Sequence, residues 1–261
     1  MRRLPAPLLA GSMIVPLFLA GCGTVGRVST PTQVNALPHL NTYMTAGPQG
    51  QADGNAIVAS DRIGQTVWVA MGSTSKPQIY VYRTVNAGKT WSRSTVGALH
   101  NDFPYSVRLA VAGRHDVWLL AAGAPAAGQE NWYLYRSTDG GVHWDALPQP
   151  VAHFVSGDVS GLNMKFTSPE MGWLTFYAPI IISGTVIGVF RTLDGGQTWM
   201  GASIQFKPHW TRVLINGPVV SAPDEWTLTL RDGDPGSNES RAYVSHDQGA
   251  TWHRIGAGTP E

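Results

Sequence analysis

Four eight-residue segments ending in tryptophan recur along this chain, and nothing else in it restricts the fold as tightly. They read Thr84-Val85-Asn86-Ala87-Gly88-Lys89-Thr90-Trp91, Ser137-Thr138-Asp139-Gly140-Gly141-Val142-His143-Trp144, Thr192-Leu193-Asp194-Gly195-Gly196-Gln197-Thr198-Trp199 and Ser245-His246-Asp247-Gln248-Gly249-Ala250-Thr251-Trp252. Their starts lie 53, 55 and 53 residues apart. A second tryptophan keeps step with them: Trp118, Trp173 and Trp226 each precede the box aspartate by 21 residues, and Trp68 precedes Asn86 by 18. One period therefore accounts for eight of the ten tryptophans. Self-similarity at this length marks a repeat architecture whose units must stack to bury their faces.

Within each unit the apolar pattern has period two, which predicts strands. Third strands are expected at Ile79–Tyr82, Trp132–Tyr135 and Val186–Phe190, and second strands around Trp68 and Trp173. First strands are expected at Ala56–Ala59, Val107–Val111, Leu162–Phe166 and Val213–Val220. Four antiparallel strands, four times over, predict an all-β fold, a β-propeller of four-stranded blades. The count is four blades, or five if residues 30–50 supply one. Composition agrees: 30 glycines, 18 prolines and only 13% charged residues in 261 suit a turn-rich β protein of one domain. A formal charge of +1, which rests on Arg2 and Arg3, gives no electrostatic case for a nucleic-acid partner. A single cysteine excludes an internal disulfide framework and any multi-cysteine metal site.

The four segments resemble the Asp-box, or bacterial neuraminidase repeat, of pattern Ser/Thr-x-Asp-x-Gly-x-Thr-Trp, over roughly residues 50–261. The local logic is physical: the acidic side chain accepts backbone N–H groups, the glycine takes positive φ, and the tryptophan anchors the hairpin on the sheet. Structural roles follow for Asn86, Gly88 and Trp91, for Asp139, Gly141 and Trp144, for Asp194, Gly196 and Trp199, and for Asp247, Gly249 and Trp252. The resemblance places these boxes on the rim away from the binding funnel, so no catalytic role is assigned to them. Asn86 and Ala87 in the first unit and His143 in the second depart from the pattern, and those two turns are expected to be slightly weaker but still formed. Arg83, Arg136 and Arg191, just before three of the boxes, read as braces between blades. The run from Met164 to Trp173 with the box that follows is also similar to propellers of the photosystem II stability and assembly factor type, which implies a noncatalytic binding platform.

Residues 1–21 have the layout of a secretory signal: Arg2-Arg3, a short apolar stretch broken by Gly11, Ser12 and Pro16, then small residues. Leu19-Ala20-Gly21-Cys22 resembles a bacterial lipobox, which implies lipidation of Cys22 and anchorage to the cell membrane on its extracytoplasmic side. Residues 22–50, rich in Gly, Thr, Ser, Pro and Asn, read as a lipidated flexible tether. In its last part His39 to Tyr43 could add a strand. The propeller domain spans 51–261.

The loops between blades pair histidine with aromatic residues: His100, Asp102, Phe103 and Tyr105, then His153, Phe154 and Asp158, then His209 and Trp210. Gathered at the axial mouth, they would form a funnel suited to a protein loop or a carbohydrate. The competing reading has the aromatics filling the core between blades. No metal site and no cofactor are expected. The loop Arg231–Glu239 carries closely spaced oxygens, but its offsets do not match a calcium loop and it reads as a solvated hairpin. The function expected is a lipid-anchored, non-catalytic binding platform for a protein or glycan partner. The alternative is a sialidase-like glycoside hydrolase using the funnel. Against that alternative, only five glutamates are present and no arginine cluster for a substrate carboxylate is recognisable.

Overall fold

The computed structural model describes residues 32–34, 50–52, 56–73, 76–97, 99, 104–123, 131–150, 160–180, 184–206, 210, 213–222 and 224–256. All regular structure among them is β. The first sheet holds β3 (Ala56–Ile63), β4 (Thr66–Ser73), β5 (Lys76–Thr84) and β6 (Trp91–Val96), extended by β1 (Thr32–Val34) beside β6 and β2 (Gly50–Ala52) beside β3. The second runs β7 (Pro104–Val111), β8 (Val117–Gly123), β9 (Trp132–Ser137), β10 (Asp145–Leu147). The third is β11 (Ser160–Phe166), β12 (Gly172–Ile180), β13 (Gly184–Thr192), β14 (Met200–Phe206), and the fourth β15 (Val213–Ala222), β16 (Glu225–Asp232), β17 (Ser240–Ser245), β18 (His253–Arg254). Every pairing is antiparallel and, apart from β1 on β6, joins consecutive strands. The molecule is thus a four-bladed β-propeller. The residues before 56 build no fifth blade among the described strands, because β1 and β2 are spent lengthening the first sheet. His39 to Tyr43 lie outside the described residues.

The inner strands β3, β7, β11 and β15 touch in chain order. Between the sheets lie three apolar layers. The first holds Trp68, Leu109, Leu119 and Trp144, the second Trp118, Phe166, Leu174 and Phe190, the third Val189, Trp210, Leu228 and Tyr243. The second sheet has an apolar layer on each face, so β8 is buried along its whole length, whereas β16 of the fourth sheet alternates. On β15, by contrast, Leu214, Val219 and Val220 are exposed.

The boxes make the joints. The second-strand tryptophans Trp68, Trp118, Trp173 and Trp226 are at most 1% exposed. Each buries roughly 200 Å² of surface, a gross gain of about 5 kcal/mol at 25 cal/mol/Å². Trp68 Nε1 donates to the carbonyl of Gly140 at 2.8 Å, and Trp118 Nε1 to that of Gly195 at 2.8 Å, so each indole plugs into the box of the next blade. Trp118 also stacks on Phe166 with centroids 3.6 Å apart. Arg83 and Arg136 lie over Trp68 and Trp118, and Arg191 lies over Trp226. These arginines stand at the blade joints.

Inside each box the hydroxyl of the first residue accepts the glycine N–H, at 2.9, 2.7, 2.8 and 2.7 Å from Gly88, Gly141, Gly196 and Gly249. Those glycines have φ of 81°, 90°, 98° and 85°, the left-handed region in which a Cβ is strained. Oδ1 of Asn86, Asp139, Asp194 and Asp247 accepts the N–H four residues on, at 2.8–2.9 Å. The two atypical boxes close the same turn with different partners. His143 Nδ1 lies 2.6 Å from Asp139 Oδ2, where Thr198 and Thr251 hydroxyls donate to Asp194 and Asp247 at 2.6 Å. In the first box the direction reverses, and Asn86 Nδ2 donates to Thr90 Oγ1 at 2.9 Å.

Candidate functional site

Backbone bonds fix which end of the wheel is which. Ala87 N–H donates to Gln65 O, Gly140 N–H to His115 O and Gly195 N–H to Glu170 O, so the box turns share one rim with the turns that join first to second strands. The inner strands therefore begin on the opposite rim. Tyr105, second residue of β7, stands there 63% exposed. An exposed phenol ring at the axial mouth offers an apolar face and a hydrogen-bonding tip, the combination that stacks on a sugar.

Along the inner edge, polar side chains of one blade satisfy the backbone of the next. Asp61 Oδ2 accepts Val111 N–H at 3.0 Å, and its Oδ1 accepts Arg62 N–H at 2.8 Å. Arg108 Nε donates to Leu162 O at 2.6 Å, while its Nη1 reaches Ser106 Oγ at 2.9 Å and Val107 O at 2.8 Å. Burial pushes the Asp61 carboxyl above its ordinary value, against the pull of its two N–H donors and of Lys165. Burial likewise lowers the Arg108 guanidinium, which has no carboxylate against it among the described residues. Asn163 and Lys165 of β11 are exposed. The inner edge thus presents amide, ammonium and hydroxyl groups with one carboxylate, Asp61. Sequence reasoning passed over Asp61 and Arg108 because neither belongs to a motif; only the neighbouring blade shows what they bond.

Of the funnel candidates, His100, Asp102, Phe103, His153, Phe154, Asp158 and His209 lie outside the described residues. Trp210 is 5% exposed and belongs to the layer between the third and fourth sheets. Its Nε1 donates to Glu239 Oε2 at 2.8 Å and Arg241 lies over its ring, so it is placed as a core residue and not as an open stacking surface. Glu170 and Glu225 accept hydroxyls of Ser168 and Ser221 within their own turns, on the box rim. No three His, Cys, Asp or Glu converge as metal ligands among the described residues, and no helix among them is long and apolar enough to cross a membrane.

Fold and repeat together define an all-β propeller assembled from Asp-box hairpins, and comparison with known proteins agrees. The BNR/Asp-box repeat family matches residues 243–254. A probable oligoxyloglucan-reducing end-specific xyloglucanase of Neosartorya fischeri is 34% identical over 143 residues, which is 54% of this chain and 16% of that relative. The match therefore spans about one sixth of the relative's length. Among solved structures, the alpha-L-arabinanase of Penicillium chrysogenum superposes with a TM-score of 0.53 at 16% identity, over 89% of this chain and 73% of the other. An alpha-L-arabinofuranosidase of Fusarium graminearum gives 0.51 at 14% identity, over 88% and 72%. At such identities the likeness is one of fold.

Proposed function

We propose that this protein acts on glycans and hydrolyses glycosidic bonds at its axial mouth, in preference to serving as a non-catalytic assembly platform. The observation that carries this reading is the 34% identity, over more than half of the chain, to a relative named for xyloglucan degradation. Propeller neighbours named for arabinose-containing substrates fit the same class. The chemistry suits the mouth. Glycoside hydrolysis needs two carboxyl groups about 5–5.5 Å apart for retention, or about 6.5–9.5 Å for inversion. The inter-blade loops carry Asp102 and Asp158, and the exposed Tyr105 ring gives a sugar a face to stack on. A neutral plant-type oligosaccharide is the substrate class proposed.

The test is release of reducing ends from xyloglucan and arabinan oligosaccharides. Turnover that disappears in Asp102→Asn or Asp158→Asn, with the circular dichroism spectrum unchanged, supports the reading. No turnover on either substrate overturns it. One observation favours a second reading, glycan binding without hydrolysis: Asp61, the sole carboxylate on the inner strands, is already engaged by two N–H groups. Retention on immobilised xyloglucan with no reducing ends released would establish that reading instead.

We also propose that the chain works at the outer face of a membrane, tethered through lipidated Cys22. Thioether lipidation brings about 0.8 kcal/mol per buried methylene, so two or more acyl chains hold firmly without a spanning segment. Cys22→Ser should move the protein from the membrane to the soluble fraction, and equal retention of the variant would refute the anchor.

A further inference from the structure

The three inter-blade arginines are an internal comparison, because the repeat places the same residue in three settings. Arg83 pairs across its sheet with Trp68, Arg136 with Trp118 and Arg191 with Trp173, one register position in each blade. In the second blade Asp116, two residues before the tryptophan, takes Arg136 Nη2 at 2.8 Å. In the third, Arg191 Nη1 donates to Gln248 Oε1 of the next box at 3.2 Å. In the first blade the position of Asp116 is held by Thr66, and Arg83 makes no ion pair among the described residues. Its Nε is buried without a hydrogen-bond partner, as are those of Arg136 and Arg191, so the difference lies at the guanidinium's outer nitrogens. The carboxylate that attracts it through space, Asp139, forms no ion pair with it and is occupied by Ser137, Val142 and His143.

Where the second blade has a carboxylate, the first has a cavity. It measures about 660 Å³ and is lined by Gly64, Gln65, Thr66, Arg83, Val85, Arg114 and His115. Two arginines and a histidine are among its lining residues, and no acidic residue is. A void of this size is ample for a six-membered ring with substituents. Arginine is the side chain whose planar fork best matches an oxyanion, and one with no carboxylate in direct contact is poised for an external anion.

We propose that this pocket, on the box rim between the first and second blades, binds an oxyanion-bearing ligand of monosaccharide size, with Arg83 as its anchor and Arg114 as the second cation. The ligand's anionic group takes the place that Asp116 fills for Arg136. Its uncharged body lies against Val85 and the Gly64–Thr66 turn. The site is on the rim opposite the axial mouth and does not depend on the activity proposed there.

Isothermal titration of the full chain at low ionic strength, with glucuronate, inorganic sulfate and glucose in turn, tests this. Thr66→Asp installs the carboxylate that the second blade carries and should weaken anion binding at least tenfold while leaving the melting temperature equal or higher. Arg114→Met, an exposed position, should weaken it severalfold without unfolding. Glucuronate binding that both substitutions weaken, with glucose silent, supports a sugar acid as the ligand; sulfate binding alone with the same sensitivity supports the oxyanion site in its inorganic form. The proposal is overturned if neither anion binds, if glucose binds as well as glucuronate, or if Thr66→Asp binds the anions like the parent protein.

Discussion

Trp118→Phe and Trp226→Phe make the same chemical change at equivalent repeat positions, yet their costs should differ by about one buried hydrogen bond. Both indoles are at most 1% exposed, and each contacts another aromatic ring: Trp118 stacks on Phe166, and Trp226 meets Trp173 edge-on at 4.3 Å. Shrinking indole to phenyl removes three heavy atoms, on the order of 2 kcal/mol of burial in either case. What differs is the N–H. Trp118 Nε1 donates to Gly195 O, whereas Trp226 Nε1 has no hydrogen-bond partner among the described residues. Losing the first leaves a buried carbonyl without this donor, a further cost of about 1–3 kcal/mol. Losing the second removes a donor that was desolvated without compensation, which offsets part of the packing loss. We expect roughly 3–5 kcal/mol for Trp118→Phe and about 1–2 kcal/mol for Trp226→Phe. In urea, with a slope of about 2 kcal/mol/M, the midpoints should separate by roughly 1 M. Far-UV circular dichroism reads the transition without depending on the tryptophans removed. A midpoint for Trp226→Phe equal to or below that of Trp118→Phe would refute the assignment of the joint to that hydrogen bond.

Acid should loosen the boxes. Thr251 and Ser245 hydroxyls and backbone N–H groups hold the Asp247 carboxyl well below its ordinary 3.8. At Asp139 and Asp194 burial works upward but is outweighed by bonds from His143 and from Thr198, so these carboxyls are lowered too. A depressed folded-state value means stability that is complete above about pH 4 and lost as pH falls further. Asp247→Asn, which Asn86 shows to be compatible with the turn, should flatten the acid limb of a melting-temperature profile between pH 4 and 2; an unchanged limb would contradict the linkage. Gly249→Ala should cost about 2–4 kcal/mol, because its φ is +85° and an added Cβ would sit 2.8 Å from the Trp226 ring; at Gly64, φ +60° with open space around it, the same change should cost only about 1 kcal/mol. Denaturant midpoints for the two variants decide it, and equal costs would remove the steric argument. Tyr105→Ala, at an exposed position, should leave stability within about 0.5 kcal/mol of the parent while weakening retention on immobilised xyloglucan; unchanged retention would remove Tyr105 from the mouth's binding surface.

The amino-acid sequence alone decided the repeat, the strands and the box turns. The side-chain bonds that close each box turn span two to four residues, such as Ser245 to Gly249 or Asp247 to Thr251, so the local string carries the turn. Period-two alternation around Ile79–Tyr82 and Val186–Phe190 was equally local. Tertiary structure decided everything that depends on two repeats meeting. Trp118 finds Gly195 across 77 residues and Arg108 finds Leu162 across 54, contacts that neither partner's neighbours encode. It also drew Trp210, an apparent funnel residue, into the core through Glu239, because a ring between two sheets loses more water than one at a rim. The thirties, read as part of a tether, gave β1 to the free edge of the first sheet, where unpaired backbone groups gain hydrogen bonds. Most consequential is Arg83: its repeat position was plain in the sequence, but that it lacks the counter-charge its sibling Arg136 has became visible only when the blades were packed, since pairing is a property of distance and not of order along the chain.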